Sequence, residues 1–256
     1  MRILFIGDIV GKPGRKAVKE LLPQALEKTQ PDIVIGNSEN LVHGRGVSSE
    51  TLTSMMEAGI DCFTGGDHSF WHGNYESISV NFPIIRPANY PFGVPGEGFR
   101  LVKTKKNDTL LLINVMGRTF LNERLDDPFT KVDEILNKVS SSEYDATLVD
   151  FHAEATSEKH ALAFYLDGRV NAIVGTHTHV PTCDNRVLPK RTLYVSDVGM
   201  AGNLDSVLGV DENVIIAQYL TAQNQRFEWK EQGRIALRSV IIDTKNGTID
   251  RMDMNI

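Results

Sequence analysis

The chain has 256 residues, 41% apolar and 23% charged, enough to bury an ample core in one large α/β domain or two small ones. Its formal net charge is −6 with no Lys/Arg-rich stripe, which argues against general binding to a nucleic-acid backbone while leaving room for a small phosphate ester drawn to a local metal charge. No apolar run has bilayer-spanning length and nothing at the N-terminus reads as a signal peptide; the two cysteines, Cys62 and Cys183, suggest a reducing compartment, so the expected location is the cytoplasm, away from membranes.

In chain order, Arg2 to Gly7 predicts a first strand, Pro13 to Thr29 an amphipathic helix opened by Pro and Gly, and Asp32 to Gly36 a second strand. Ser48 to Ala58 predicts a helix with Ser48 as N-cap and Glu50 in its first turn, and Asp61 to Gly65 a third strand. This βαβαβ opening favours a parallel core sheet. Later strands are expected at Thr109 to Val115, Ala146 to Asp150, Asn171 to Gly175, Thr192 to Val195 and Ile235 to Ile242. The Gly- and Pro-rich connections Tyr90 to Gly98 and Gly199 to Gly209 have the length of loops that line active sites. No repeat, low-complexity tract or long linker interrupts the chain, so a single domain over 1–256 is expected.

Polar residues recur where these strands end. Asp8 follows the first, Glu39 and Asn40 the second, and Asp67 and His68 the third. His152 follows the Ala146 strand, and His177 and His179, in GTHTHV, follow the Asn171 strand. Alternate residues of an extended segment point the same way, so both imidazoles of that pair are expected to face one cavity. Ligands of open α/β sheets bind beyond the carboxyl ends of the strands, which is where this set falls.

Taken singly, each residue has a plainer reading. Asp8 suits an Asx turn, Glu39 and Asn40 a surface loop, and His68 packing near Phe70 and Trp71. In GDIVGKPGR neither the P-loop spacing nor GxGxxG is present. Glu154 reads as a supporting or helix-capping residue, and His43, His72 and His160 as surface, packing or helix residues. Jointly, oxygen-rich ligands with three imidazoles suggest a dinuclear centre for Fe, Mn or Zn rather than Mg or Ca. Such a pair supplies a hydroxide nucleophile at neutral pH and clamps the phosphoryl oxygens of an in-line displacement. His68, if outside the coordination sphere, is then the general acid for the leaving alkoxide.

Asp8 in GDIVG, Glu39-Asn40, the loop at His68, His152 and GTHTH together resemble the calcineurin-like metallophosphoesterases. More narrowly, RPANYP from Arg86, GRTF from Gly117, HAEATSEK from His152 and GTHTHVPT from Gly175 resemble the YmdB-type phosphodiesterases. DVGMAG from Asp197, DSVLG from Asp205 and RFEW from Arg226 extend that likeness over nearly the whole chain.

The resemblance implies a four-layer α/β/β/α sandwich and a dinuclear iron- or manganese-type centre, zinc being a candidate on the ligand chemistry alone. It implies hydrolysis of phosphodiesters, 2′,3′-cyclic nucleotides above all, by a hydroxide bridging the two ions; apart from that likeness, a composition that disfavours general nucleic-acid binding still leaves RNA ends as candidate substrates. Homo-oligomers are also implied. Carried over by position, one metal takes Asp8, Glu39, Asn40 and His179, and the second takes the shared Glu39 with Asp67, His152 and His177; His68 is the proton donor.

One departure stands out. The family's loop reads Gly-Asn-His where this chain has Gly66-Asp67-His68, so a carboxylate replaces an amide. The expected consequence is firmer metal retention with weaker Lewis acidity. Two other functions compete. An amidohydrolase-type TIM barrel would carry HxH on its first strand and a late Asp, the reverse of the order here; a non-catalytic metal- or nucleotide-binding regulatory protein would keep the site without turnover.

Overall fold

Strand β1 (Arg2–Asp8) is apolar at successive positions because both of its faces are covered. The computed structural model, which describes residues 1–72 and 74–256, continues with α1 (Gly11–Thr29), β2 (Ile33–Asn37), α2 (Ser49–Glu57) and β3 (Cys62–Thr64). Ser48 caps α2 as expected: its Oγ accepts from the Thr51 N–H at 3.2 Å, while its own N–H donates to Thr51 Oγ1 at 3.1 Å. Next come α3 (Tyr75–Asn81), β4 (Phe99–Lys103), β5 (Thr109–Met116), α4 (Pro128–Lys138), β6 (Ala146–His152), α5 (Thr156–Tyr165) and β7 (Ala172–Thr176). The chain closes with β8 (Arg186–Val187), β9 (Leu193–Val195), β10 (Gly202–Asn203), α6 (Glu212–Thr221), β11 (Ile235–Leu237), β12 (Ser239–Asp243), β13 (Thr248–Arg251) and β14 (Met254–Asn255). Among the described residues no helix is long and apolar enough to cross a membrane.

Two main sheets form, ordered β13-β12-β1-β2-β3 and β4-β5-β6-β7-β9-β8. Strand alternation sorts their side chains into layers. Ile3, Phe5 and Ile35 of the first sheet pack against Leu110, Leu112 and Val174 of the second. Leu4 and Ile6 point the other way, onto Val18 and Leu22 of α1, while Ile113 and Val149 meet Val132 of α4 and Leu162 of α5. The result is the expected helix, sheet, sheet, helix sandwich.

Two expectations need correction. The sheets are mixed rather than parallel: β1-β2-β3 and β5-β6-β7-β9 run parallel, but β12, β13, β4 and β8 are antiparallel to their neighbours. The single strand expected over Ile235 to Ile242 is divided at Arg238. Its first part, β11, joins a three-stranded sheet between β10 and β14, while β12 pairs with β1. The continuous apolar run hides this because both parts are buried, Leu237 under α1 and Val240 between the two main sheets.

Candidate metal centre

Both parallel sets of strands end at one rim. Asp8 is the last residue of β1, Glu39 and Asn40 lie just beyond β2, Asp67 and His68 beyond β3, His152 closes β6, and His177 and His179 follow β7. The structure brings all eight of these predicted residues together. Ligand-type atoms of Asp8, Glu39 and His179 lie within 4.8 Å of one another, as do those of Asp67, His152 and His177, and those of Glu39, Asp67 and His68. The groups are contiguous: Glu39 Oε2 is 3.4 Å from His152 Nε2, and Asp67 Oδ1 is 2.9 Å from the same nitrogen and 3.4 Å from His177 Nδ1. His68 leans on both carboxylates, its Nδ1 3.2 Å from Glu39 Oε1 and its Nε2 3.5 Å from Asp67 Oδ2. The Asn40 amide lies 3.2 Å from His68 Nδ1.

The histidine pair does not reach the rim on extended backbone, as strand alternation suggested. β7 stops at Thr176, and His177 and His179 adopt φ of 98° and 64°, in the left-handed region. Each such non-Gly residue costs about 1–3 kcal/mol and persists only when its surroundings hold it. Here the buried Asp197 holds the turn: its Oδ2 accepts from the Thr178 N–H at 3.1 Å, from Thr178 Oγ1 at 2.8 Å and from Lys159 Nζ at 2.7 Å.

Other supporting residues escaped the sequence reading. The His152 ring is oriented by Thr176 Oγ1 at 2.9 Å from Nδ1, and that hydroxyl donates to Asp150 Oδ1 at 2.8 Å. Asn37 Nδ2 donates to the other Asp150 oxygen at 3.3 Å. Glu154 Oε2, 3.1 Å from His177 Nε2, orients that ring and does not cap a helix. Gly66 has no substitute, because a Cβ there would fall inside the contact shell of Glu39 Oε2 and His152 Nε2. The only available signals were Lys159 and Glu154 within HAEATSEK and Asp197 opening DVGMAG; Asp150 and Thr176 read simply as the polar ends of apolar runs. His160 is helical as expected, and His43 and His72 are exposed outside the cluster.

Electrostatically, the cluster suits cations. Burial, then the nearby Asp197, raises Asp8 to about 7, and burial with the Asp67 and Asp8 charges raises Glu39 well above the usual carboxylate range. Burial lowers His152 and His179 to about 4, and lowers His68. Burial opposes ionisation of Asp67 as well, but hydrogen bonds from His152 and His177 outweigh it and hold that carboxyl well below its ordinary value. For His177 burial is outweighed by the hydrogen bond to Asp67 and by the Asp67, Glu39 and Asp8 charges, which lift it to about 9. Asp8 Oδ1, Asn40 Oδ1 and His179 Nδ1 are buried with no hydrogen-bond partner among the described residues. An unpaired buried polar atom costs about 1–3 kcal/mol, so three on adjoining side chains indicate a ligand set for a cation.

A prediction follows for metal loading. Groups with raised pKa keep protons that a cation must displace, so loading should release protons and affinity should rise with pH, through about 7 for Asp8 and through about 9 for His177. His152 and His179, at about 4, should contribute nothing above pH 6. Calorimetric titration with Mn²⁺ in buffers of different ionisation enthalpy counts these protons; equal release at pH 6 and pH 9.5 would reject the assignment.

A cavity of about 380 Å³ opens on the cluster, lined by Glu39, Asn40, His68, His177 and His179 together with more distant side chains. Val207 and Leu208, from the Gly199 to Gly209 connection, line it as expected; none of Tyr90 to Gly98 does, a correction to the loop reading. Of that segment Tyr90 packs inward, its ring 5.0 Å from that of Phe70, while Pro91, Phe92 and Gly93 face solvent.

Known proteins resemble the chain over nearly its whole length. The family described as YmdB-like protein matches residues 4–255. The 2′,3′-cyclic-nucleotide 2′-phosphodiesterase of Bacillus subtilis (strain 168) is 46% identical over 249 residues, covering 97% of this chain and 93% of that protein. A hypothetical protein of Thermus thermophilus superposes with a TM-score of 0.93 at 40% identity, covering 100% of this chain and 99% of that one. A novel phosphatase of Mycoplasma pneumoniae gives a TM-score of 0.90 at 32% identity, covering 100% and 93%.

Proposed function

Because the chain belongs to the YmdB-like family, we propose that it is a metal-dependent phosphodiesterase acting on 2′,3′-cyclic nucleotides, with RNA ends as a further substrate class. The observation that carries this reading is the set of unpartnered buried atoms on Asp8, Asn40 and His179 beside a second donor group of Asp67, His152 and His177. One ion would be held by Asp8, Glu39, Asn40 and His179, the other by Glu39, Asp67, His152 and His177, with Glu39 common to both. When bound, iron or manganese, with zinc as a third candidate, supplies Lewis acidity toward the phosphoryl oxygens and activates water at neutral pH.

The protein's own residues do the rest. Asp197 and Lys159 keep the histidine turn in its strained shape, and the Thr176–Asp150 relay fixes the ring of His152. The side chain of His68 is 22% exposed and lines the cavity, so it can reach a departing oxygen and donate a proton to it. Beyond the site, β1 near one end of the chain pairs with β12 near the other, which supports a single domain over 1–256. The unpaired thiols of Cys62 and Cys183 fit a reducing cytoplasm, and homo-oligomerisation is carried over from the family.

Protein purified without chelators should contain two ions per chain by metal analysis and should open 2′,3′-cyclic nucleotides when supplied with Mn²⁺. Metal-loaded protein that is inert across cyclic nucleotides and chromogenic diesters would instead support the regulatory, non-catalytic alternative.

Asp67→Asn tests the departure from the family loop. A unit charge at ~6 Å with an effective dielectric constant of 20 is worth roughly 3 kcal/mol. The variant keeps an acceptor for His152 and His177 but removes one negative charge from the cluster. Metal affinity should fall by up to about 100-fold, while kcat per fully loaded site should rise. Weaker binding with no rate gain at saturating metal would reject this account.

A further inference from the structure

The cavity above the cluster has a wall that phosphoryl transfer does not require. Besides Glu39, His68 and His179 it is lined by Leu208, Tyr219, Phe227 and Trp229. A neighbouring hollow of about 330 Å³ shares Arg45, Gln218, Phe227 and Trp229 with it and extends to Asn224 and Gln225. Cavities of this size suit small organic ligands rather than an inorganic ion alone, such sites spanning roughly 300–1,000 Å³.

The wall is apolar yet open to solvent: Phe227 is 37% exposed, Leu208 44% and Tyr219 84%. Helix α6, which carries Gln218 and Tyr219, buries none of its residues. Trp229, in contrast, is fixed. Its ring lies against the backbone of Gly44, where φ is 75° and any Cβ would collide with the indole. Arg45 has its Cζ 4.6 Å from the Trp71 ring centroid and 5.7 Å from that of Phe227, and its guanidinium has no acceptor among the described residues. A planar cation held between aromatic rings, beside amide side chains and an apolar platform, is the chemistry that receives a flat heteroaromatic ring bearing hydrogen-bonding edges.

We propose that this wall is a nucleobase subsite: the base of a nucleotide stacks on Phe227 and Trp229 beside Leu208 and Tyr219, with Gln218 and Arg45 meeting its polar edge. The inference rests on the hydrolase reading, since the phosphodiester of the same molecule occupies the metal cluster. It makes the base, not the cyclic phosphate alone, the source of substrate preference.

The test compares 2′,3′-cyclic AMP with the 2,3-cyclic phosphate of 1-O-methylribose, which lacks a base. The kcat/KM ratio should favour the nucleotide by about 10- to 100-fold, the usual worth of one stacked base, and Phe227→Ala should reduce that ratio at least fivefold. Trp71 and Trp229 are the only tryptophans, so in Trp71→Phe protein the remaining fluorescence reports on Trp229. Adenosine 3′-monophosphate should quench it, and ribose 3-phosphate should not. A ratio near one in the unaltered protein, or one unchanged in Phe227→Ala, overturns the proposal. A change of sedimentation mass in Phe227→Ala with the ratio intact assigns the wall to a second copy of the chain and likewise overturns it. Base-dependent quenching without turnover of either substrate would uphold the subsite and remove the hydrolase reading beneath it.

Discussion

Glu39→Gln is expected to lower turnover by on the order of 10³-fold, even with saturating Mn²⁺, and to reduce metal content from two ions per chain to one or none. Glu39 is almost fully buried and takes part in two of the three donor groups. Its Oε2 accepts from the His68 N–H at 3.0 Å and lies 3.4 Å from His152 Nε2, while Oε1 is 3.2 Å from His68 Nδ1. Glutamine has the same shape and can keep one oxygen in place, but its NH₂ cannot ligate a cation. The charge stabilisation lost is several kcal/mol, and each 1.36 kcal/mol is tenfold in rate. Metal analysis beside steady-state kinetics checks this. A variant holding two ions at full activity would remove Glu39 from its shared position.

His68→Ala should reduce kcat by about 10²- to 10⁴-fold, the range for loss of a positioned general acid, while both ions remain bound. The loss should be largest for substrates whose leaving group is an alkoxide and small for a nitrophenyl diester, whose leaving oxygen departs without a proton. The close approach of His68 to Glu39 and Asp67 makes the metal content decisive. If the ions leave with the imidazole, His68 is a ligand, and the proton must come from elsewhere. Equal losses for good and poor leaving groups would also exclude the acid role.

How far the site could be read in advance differs from residue to residue. Asp8, Glu39, Asn40, Asp67 and His152 were visible because a polar residue directly beyond an apolar run has few places to go except the strand end. The residues that orient them were not. Asp150 and Thr176 belong to strands β6 and β7, and only the pairing that sets His152 against Thr176 shows that their side chains form a relay. Asp197 belongs to a different motif from Thr178, and its grip on the histidine turn is a tertiary contact. The turn itself was misjudged. Alternation along an extended strand would also bring His177 and His179 to one side, so the pattern HxH has the same appearance whether the backbone is extended or left-handed.

By itself, the amino-acid order determined the strands that carry the site, their alternation with helices, and which polar side chains stand at their ends. Those are local properties, set by apolar periodicity, turn residues and the buried or half-buried character of each run. The layered sandwich followed from the family resemblance, and β4, β8, β10, β13 and β14 were not foreseen. Only the tertiary structure decided that Ile235 to Ile242 serves two sheets, that three ligand-type atoms lie buried without partners among the described residues, and that an aromatic wall from residues 207–229 borders the cluster. Those features depend on distances between segments remote in sequence, and burial alone carries no record of which neighbour supplies it.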